Sequence, residues 1–169
     1  MGVAIKKIDD EYSKMLSEVK KVIQQSPVQL KLDLPKFSIG FRSLEITQND
    51  KESKSSLVIL FNPKYQAEWG SNFRAVTLSK IAIEPELLSD ELFSEVAWDW
   101  FSEALNAAEP IHLNGTITKT FNQAFSAKDT SDEQISFEIR ASWSISSSIA
   151  NNVKAWQAAI QRVANPVFE

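Results

Sequence analysis

Hydrophobic residues recur along this chain in two rhythms, and the switches between them predict the order of its elements. From Asp9 to about Gln25, Tyr12, Met15, Leu16, Val19, Val22 and Ile23 fall at helical spacing. They make one apolar stripe, with Asp9 or Asp10 placed to cap the first turn. Pro27 ends that helix. Val28, Leu30, Leu32 and Leu34 then alternate with polar residues between two prolines, which reads as an extended connector or an edge strand. Phe37, Ile39, Phe41, Leu44 and Ile46 predict the first main strand, with Gly40 marking a bulge and the polar run Gln48 to Lys54 forming its hairpin tip. Leu57 to Phe61 is an unbroken apolar run, the pattern of a strand buried on both faces. Asn62-Pro63 opens a loop that carries Tyr65, Trp69 and Gly70.

Phe73 to Glu84 predicts a long strand stopped by Pro85, and Ser89 or Asp90 caps a second helix reaching about Ala107. After Pro110, Leu113, Ile117 and Phe121 line one face of a strand whose other face is Thr116, Thr118 and Thr120. Past a polar tip, Ile135, Phe137, Ile139, Ala141, Trp143 and Ile145 alternate strictly with Ser136, Glu138, Arg140, Ser142 and Ser144. Such alternation predicts an antiparallel sheet with one packed face and one wetter face. Ser147 or Ser148 caps a last helix with a stripe of Ile149, Val153, Trp156, Ile160 and Val163. The order α-βββ-α-ββ-α defines an α+β fold, an antiparallel sheet with helices packed on it, in one domain over residues 1–169. Residues 1–36, a helix plus connector, are the part least tied to that domain by pattern. The same order occurs in the small dimeric chaperones of secretion systems, a likeness of topology only.

Composition narrows the chemistry. No cysteine occurs among the 169 residues, so disulfides, thiolate metal sites and a cysteine nucleophile are all excluded. Cytoplasmic localisation is the natural expectation, since the amino terminus lacks an apolar signal region and no stretch approaches the roughly 20 apolar residues that span a bilayer. The net charge of −4 comes without a basic stripe, which disfavours general nucleic-acid binding. Only four glycines are present, and no pair of them supplies a dinucleotide fingerprint or a phosphate loop. No catalytic residue, cofactor or metal site is expected. His112, the single histidine, reads as a strand-end residue before it reads as a general base.

Two groups of residues stand out as candidates. Arg74 and Arg140, each inside an apolar strand, together with Glu84 and Glu86 around Pro85, could form a ligand cluster of arginines and carboxylates; the plainer reading pairs each arginine with a neighbouring acid. On the second helix, Glu91, Glu95, Asp99 and Glu103 recur every four residues with no cation to offset them. At about 100° per residue, Phe93, Val96, Ala97, Trp100 and Ala104 form the stripe facing the core. Trp98, Phe101 and Leu105 then form a second apolar edge beside the acidic ridge, and a tryptophan there is covered by a loop or by another chain. Trp98, Phe101, Leu105, Glu95 and Asp99 are accordingly the candidate interface, and a homodimer through this helix is the expected assembly.

Several ordered stretches carry a resemblance. They are Phe73-Arg74-Ala75-Val76, Glu84-Pro85-Glu86, Glu95-Val96-Ala97-Trp98-Asp99-Trp100, Gly115-Thr116-Ile117-Thr118, Ile139-Arg140-Ala141-Ser142-Trp143 and Lys154-Ala155-Trp156. From roughly Asn62 to Val163 the chain resembles an uncharacterised actinobacterial family catalogued as domain of unknown function 3000. The resemblance implies no activity. It marks Arg74, Glu84, Glu86, Trp98, Asp99 and Arg140 as signature positions, and implies a link to RNA metabolism through a neighbouring ribonuclease D-like exonuclease. Three functions are expected, in order: a non-enzymatic protein-binding or chaperone-like module, a small-ligand binder or enzyme using the arginines and glutamates, and an accessory factor in RNA metabolism.

Overall fold

A computed structural model describes residues 2–26, 29–33, 42–123, 125 and 133–166. Its elements are α1 (Gly2–Gln25), β1 (Leu30–Asp33), β2 (Arg42–Asn49), β3 (Ser53–Gln66), β4 (Ser71–Ile81), the single turn α2 (Pro85–Leu88), α3 (Phe93–Leu105), β5 (Ile111–Gln123), β6 (Glu133–Ser144) and α4 (Ile149–Ala164). The six strands form one sheet in the order β1-β2-β3-β4-β6-β5, and every neighbouring pair is antiparallel. The fold is α+β, an antiparallel sheet with the helices packed on it.

Local chemistry explains the boundaries. Helix α1 begins seven residues before the expected cap, because Val3-Ala4-Ile5-Lys6-Lys7 is as helix-compatible as the stripe beyond it, and Asp9 and Asp10 become interior positions. Leu30–Asp33 resolves its ambiguity by pairing with β2, Leu32 opposite Ile46, which makes it the edge strand. Phe37, Ile39, Gly40 and Phe41 lie outside the described residues. Asp50 closes the β2–β3 hairpin: its Oδ1 accepts from the Glu52 and Ser53 N–H groups at 2.8 and 2.7 Å. Burial works to raise this carboxyl, but bonds from Gln48, Glu52 and Ser53 outweigh it and hold the group below the usual carboxylate range. Strand β3 continues through Asn62-Pro63 after an irregularity beyond Phe61, where a loop was expected. Ser148 caps α4, its Oγ accepting from the Asn151 N–H at 3.1 Å.

All the long helices pack against one face of the sheet. Leu44, Ile46, Leu57, Ile59, Ala75, Phe137, Ile139, Ala141 and Trp143 project toward them and are buried. The indoles at the centre are satisfied: Trp156 Nε1 donates to Thr77 Oγ1 at 2.8 Å, and Trp143 Nε1 donates to Asn152 Oδ1 at 2.9 Å. Between β4 and β5 the chain crosses the packed face through α3, so that β6 returns between the two strands.

Candidate functional site

The buried stripe of the middle helix is rotated by about 60° from its sequence reading, at about 100° per residue. Phe93, Ala97, Phe101 and Leu105 form its buried stripe, Phe101 and Leu105 with no exposed surface at all. Neither can contact a partner. Trp98, on the flank of that stripe, stacks on Phe101 with ring centroids 5.8 Å apart and lies over Gly115 of β5. A Cβ at Gly115 would stand 2.7 Å from the Trp98 ring and collide with the Arg140 carbonyl, so the missing side chain is the seat for the indole. Trp98 is half-buried, and among the described residues it rests against the chain's own edge strand. On the other flank Trp100 meets the Arg162 guanidinium of α4, 4.5 Å above its ring. Of the candidate interface, Glu95 and Asp99 remain exposed, beside Glu91, Glu103, Leu92 and Val96.

The proposed arginine–glutamate cluster does not assemble. Arg74 sits near the start of β4, while Glu84 and Glu86 are exposed beyond its far end, about 30 Å away along an extended chain. Arg140 shares a sheet face with Arg74, but Arg74 stands opposite Ser144 and Arg140 opposite Leu78, four residues along the strand. Arg140 meets Glu138 at 3.5 Å, the pairing that the plainer reading anticipated. Arg74 has no carboxylate partner among the described residues; its Nη1 and Nη2 donate to Ser144 Oγ and Ser142 Oγ, both at 2.9 Å. His112 is exposed in a left-handed conformation (φ 52°) within the irregular start of β5. Among the described residues no three His, Asp or Glu side chains lie together in a way that could hold a metal ion.

What the strands do bring together is the second face of the sheet. Side chains alternate across a strand, and residues in register with one another share a face. The face turned away from the helices therefore carries Lys54, Ser56, Val58 and Leu60 from β3, Arg74, Val76, Leu78 and Lys80 from β4, Glu138, Arg140, Ser142 and Ser144 from β6, and Asn114, Thr116, Thr118 and Thr120 from β5. No described helix covers it. Val58 and Val76 are direct cross-strand neighbours, Leu60 and Leu78 flank them, and Val76 is 40% exposed. A shallow concavity of about 540 Å³ opens here, lined by Val76, Leu78, Asn114, Thr116, Arg140 and Ser142.

This aliphatic band was hidden in the sequence reading. The unbroken run Leu57 to Phe61 suggested burial on both faces, yet Val58 and Leu60 are only half-buried and do not belong to the core. The available signal was the failure of alternation itself. Val58, Leu60, Val76 and Leu78 occupy positions that a solvated face would fill with polar residues, as β6 does with Ser136, Glu138, Arg140 and Ser142.

Residues 10–166 match the family described as protein of unknown function (DUF3000). The chain belongs to that family. The match begins within α1, at Asp10, and takes in the strands and helices after it. No curated protein and no solved structure is significantly similar to this DUF3000 chain. Among the described residues no helix is long and apolar enough to cross a membrane.

Proposed function

We propose that this protein is a non-enzymatic protein-binding module, chaperone-like in the sense that it shelters a segment of another protein on the open face of its sheet. One observation carries the reading: an aliphatic band, Val58-Leu60-Val76-Leu78, lies uncovered at the centre of a six-stranded sheet whose opposite face holds all the long helices. A sheet gains stability when each apolar face is covered by a second layer, and contiguous apolar surface rimmed by polar groups marks interaction sites. The donors and cations around the band supply the polar rim of such a site. A cysteine-free chain suits the cytoplasm, where we place it. Dimerisation through α3 loses its support, because the tryptophan that argued for it is seated on Gly115.

The test is affinity capture of the tagged protein from its native lysate, beside a Val76→Lys/Leu78→Lys double variant. Recovery of one protein in near-equal amount, lost in the double variant while its melting temperature holds, is the expected result. Equal recovery with both proteins would overturn the reading.

A further inference from the structure

The open face is not electrically neutral, although the chain as a whole is acidic. Over its six strands it displays five cations, Lys31, Lys54, Arg74, Lys80 and Arg140, against three carboxylates, Asp33, Glu45 and Glu138, of which Asp33 pairs with Lys31 and Glu138 with Arg140. Lys54 and Lys80 are direct cross-strand neighbours, an arrangement of like charges that costs stability. Arg74 is satisfied only by serine hydroxyls, so its positive charge has no counterion among the described residues. Along β4 the sequence of side chains on this face is Arg74, Val76, Leu78, Lys80: a cation at each end and the aliphatic band between, spanning about 20 Å at the rise of a strand.

Resting on the reading above, we infer that the occupant of this face is an acidic amphipathic helix of another protein. Charge complementarity selects the acid, since carboxylates flanking an apolar stripe would meet Arg74 and Lys80 and relieve the Lys54–Lys80 repulsion. Backbone chemistry selects the helix. An extended peptide laid flat on the sheet would leave its own N–H and C=O groups unpaired in a dry interface, whereas a helix satisfies them internally. The length fits too, because about 20 Å corresponds to roughly 13 helical residues, an ordinary helix length. The described part of this face carries no aromatic side chain, so it lacks the stacking platform with which sheet surfaces hold single-stranded RNA.

The experiment is a display selection on the full-length protein. The probe is a library of 16-residue amphipathic helices with a fixed leucine stripe and flanking positions randomised over Glu, Lys, Gln and Ser. Wild-type protein is expected to enrich Glu at the flanks, and the best binder should lose at least tenfold in affinity against an Arg74→Gln/Lys80→Gln variant and weaken with added salt. Enrichment without preference for Glu, or a best binder indifferent to the two charge substitutions, overturns the acidic partner and leaves the docking face standing. No enrichment relative to a Val76→Lys/Leu78→Lys control overturns the docking face itself. Tighter binding of wild-type protein to vesicles of anionic phospholipid, or to a single-stranded oligoribonucleotide, than to the best peptide would assign the cations to a lipid surface or to RNA and contradict the inference.

Discussion

The two faces of this sheet are made by alternate residues of the same strands, yet they obey different rules. On the helix-covered face the large central side chains find partners within the chain: Trp156 reaches Thr77, Trp143 reaches Asn152, Phe93 packs on Phe137, and Trp98 fills the space that Gly115 leaves. On the open face Val58, Leu60, Val76 and Leu78 neighbour one another across the strands outside the core, and the cations outnumber the carboxylates. One face is closed by the protein's own chemistry. The other has no second layer among the described residues. The contrast teaches that apolar content alone does not reveal burial; what separates the faces is whether the chain supplies a second layer.

That contrast can be broken most forcefully from the covered side. Replacing Trp156 by Ala removes a fully buried indole and its hydrogen bond to Thr77, and should cost about 3–5 kcal/mol in denaturant unfolding. A loss below about 1 kcal/mol would mean the covered face is far less closed than described. Gly115→Ala should cost about 1–3 kcal/mol by forcing Trp98 and the β5–β6 ladder apart, and indole fluorescence should shift as Trp98 is displaced. An unchanged variant would restore Trp98 as a candidate interface residue.

The hairpin joining β2 to β3 gives a smaller effect with a defined pH dependence. Asp50→Ala should lose about 1 kcal/mol at neutral pH, since the carboxylate accepts several bonds within the turn. Because the folded carboxyl lies below its unfolded value, its contribution is complete above the ordinary carboxylate range of about 4 and fades as pH falls through the lower folded value. The stability gap between wild type and Asp50→Ala should therefore close in acid. Smallest of all, Val76→Lys on the open face should change stability by no more than about 0.5 kcal/mol. Beside Trp156→Ala that near-silence sharpens the comparison, because two apolar residues of one chain then answer to different demands.

Much of the covered face was legible in the sequence. The stripe in α1, the alternation of β6 and the stripe of α4 all project the residues that the pattern assigned to the core. Rotation of α3 was the harder matter: Phe93, Ala97, Phe101 and Leu105 compete with Val96, Trp100 and Ala104 for the same face, and only the seat at Gly115 decides it. That seat lies in a strand remote in sequence, which no local period can report. The arginine–glutamate cluster failed for a related reason, since nearness along β4 is distance in space. The open face was written in the broken alternation of β3 and β4, but an apolar run reads the same whether a second layer or a partner covers it.

The most direct test of the docking face is site-specific photo-crosslinking. A benzophenone side chain would replace Val76 on the open face or Lys154, which is exposed on α4. In the native lysate, position 76 should give one discrete heteromeric adduct and position 154 none. Adducts from position 154 alone, or no adduct from position 76, would contradict the account.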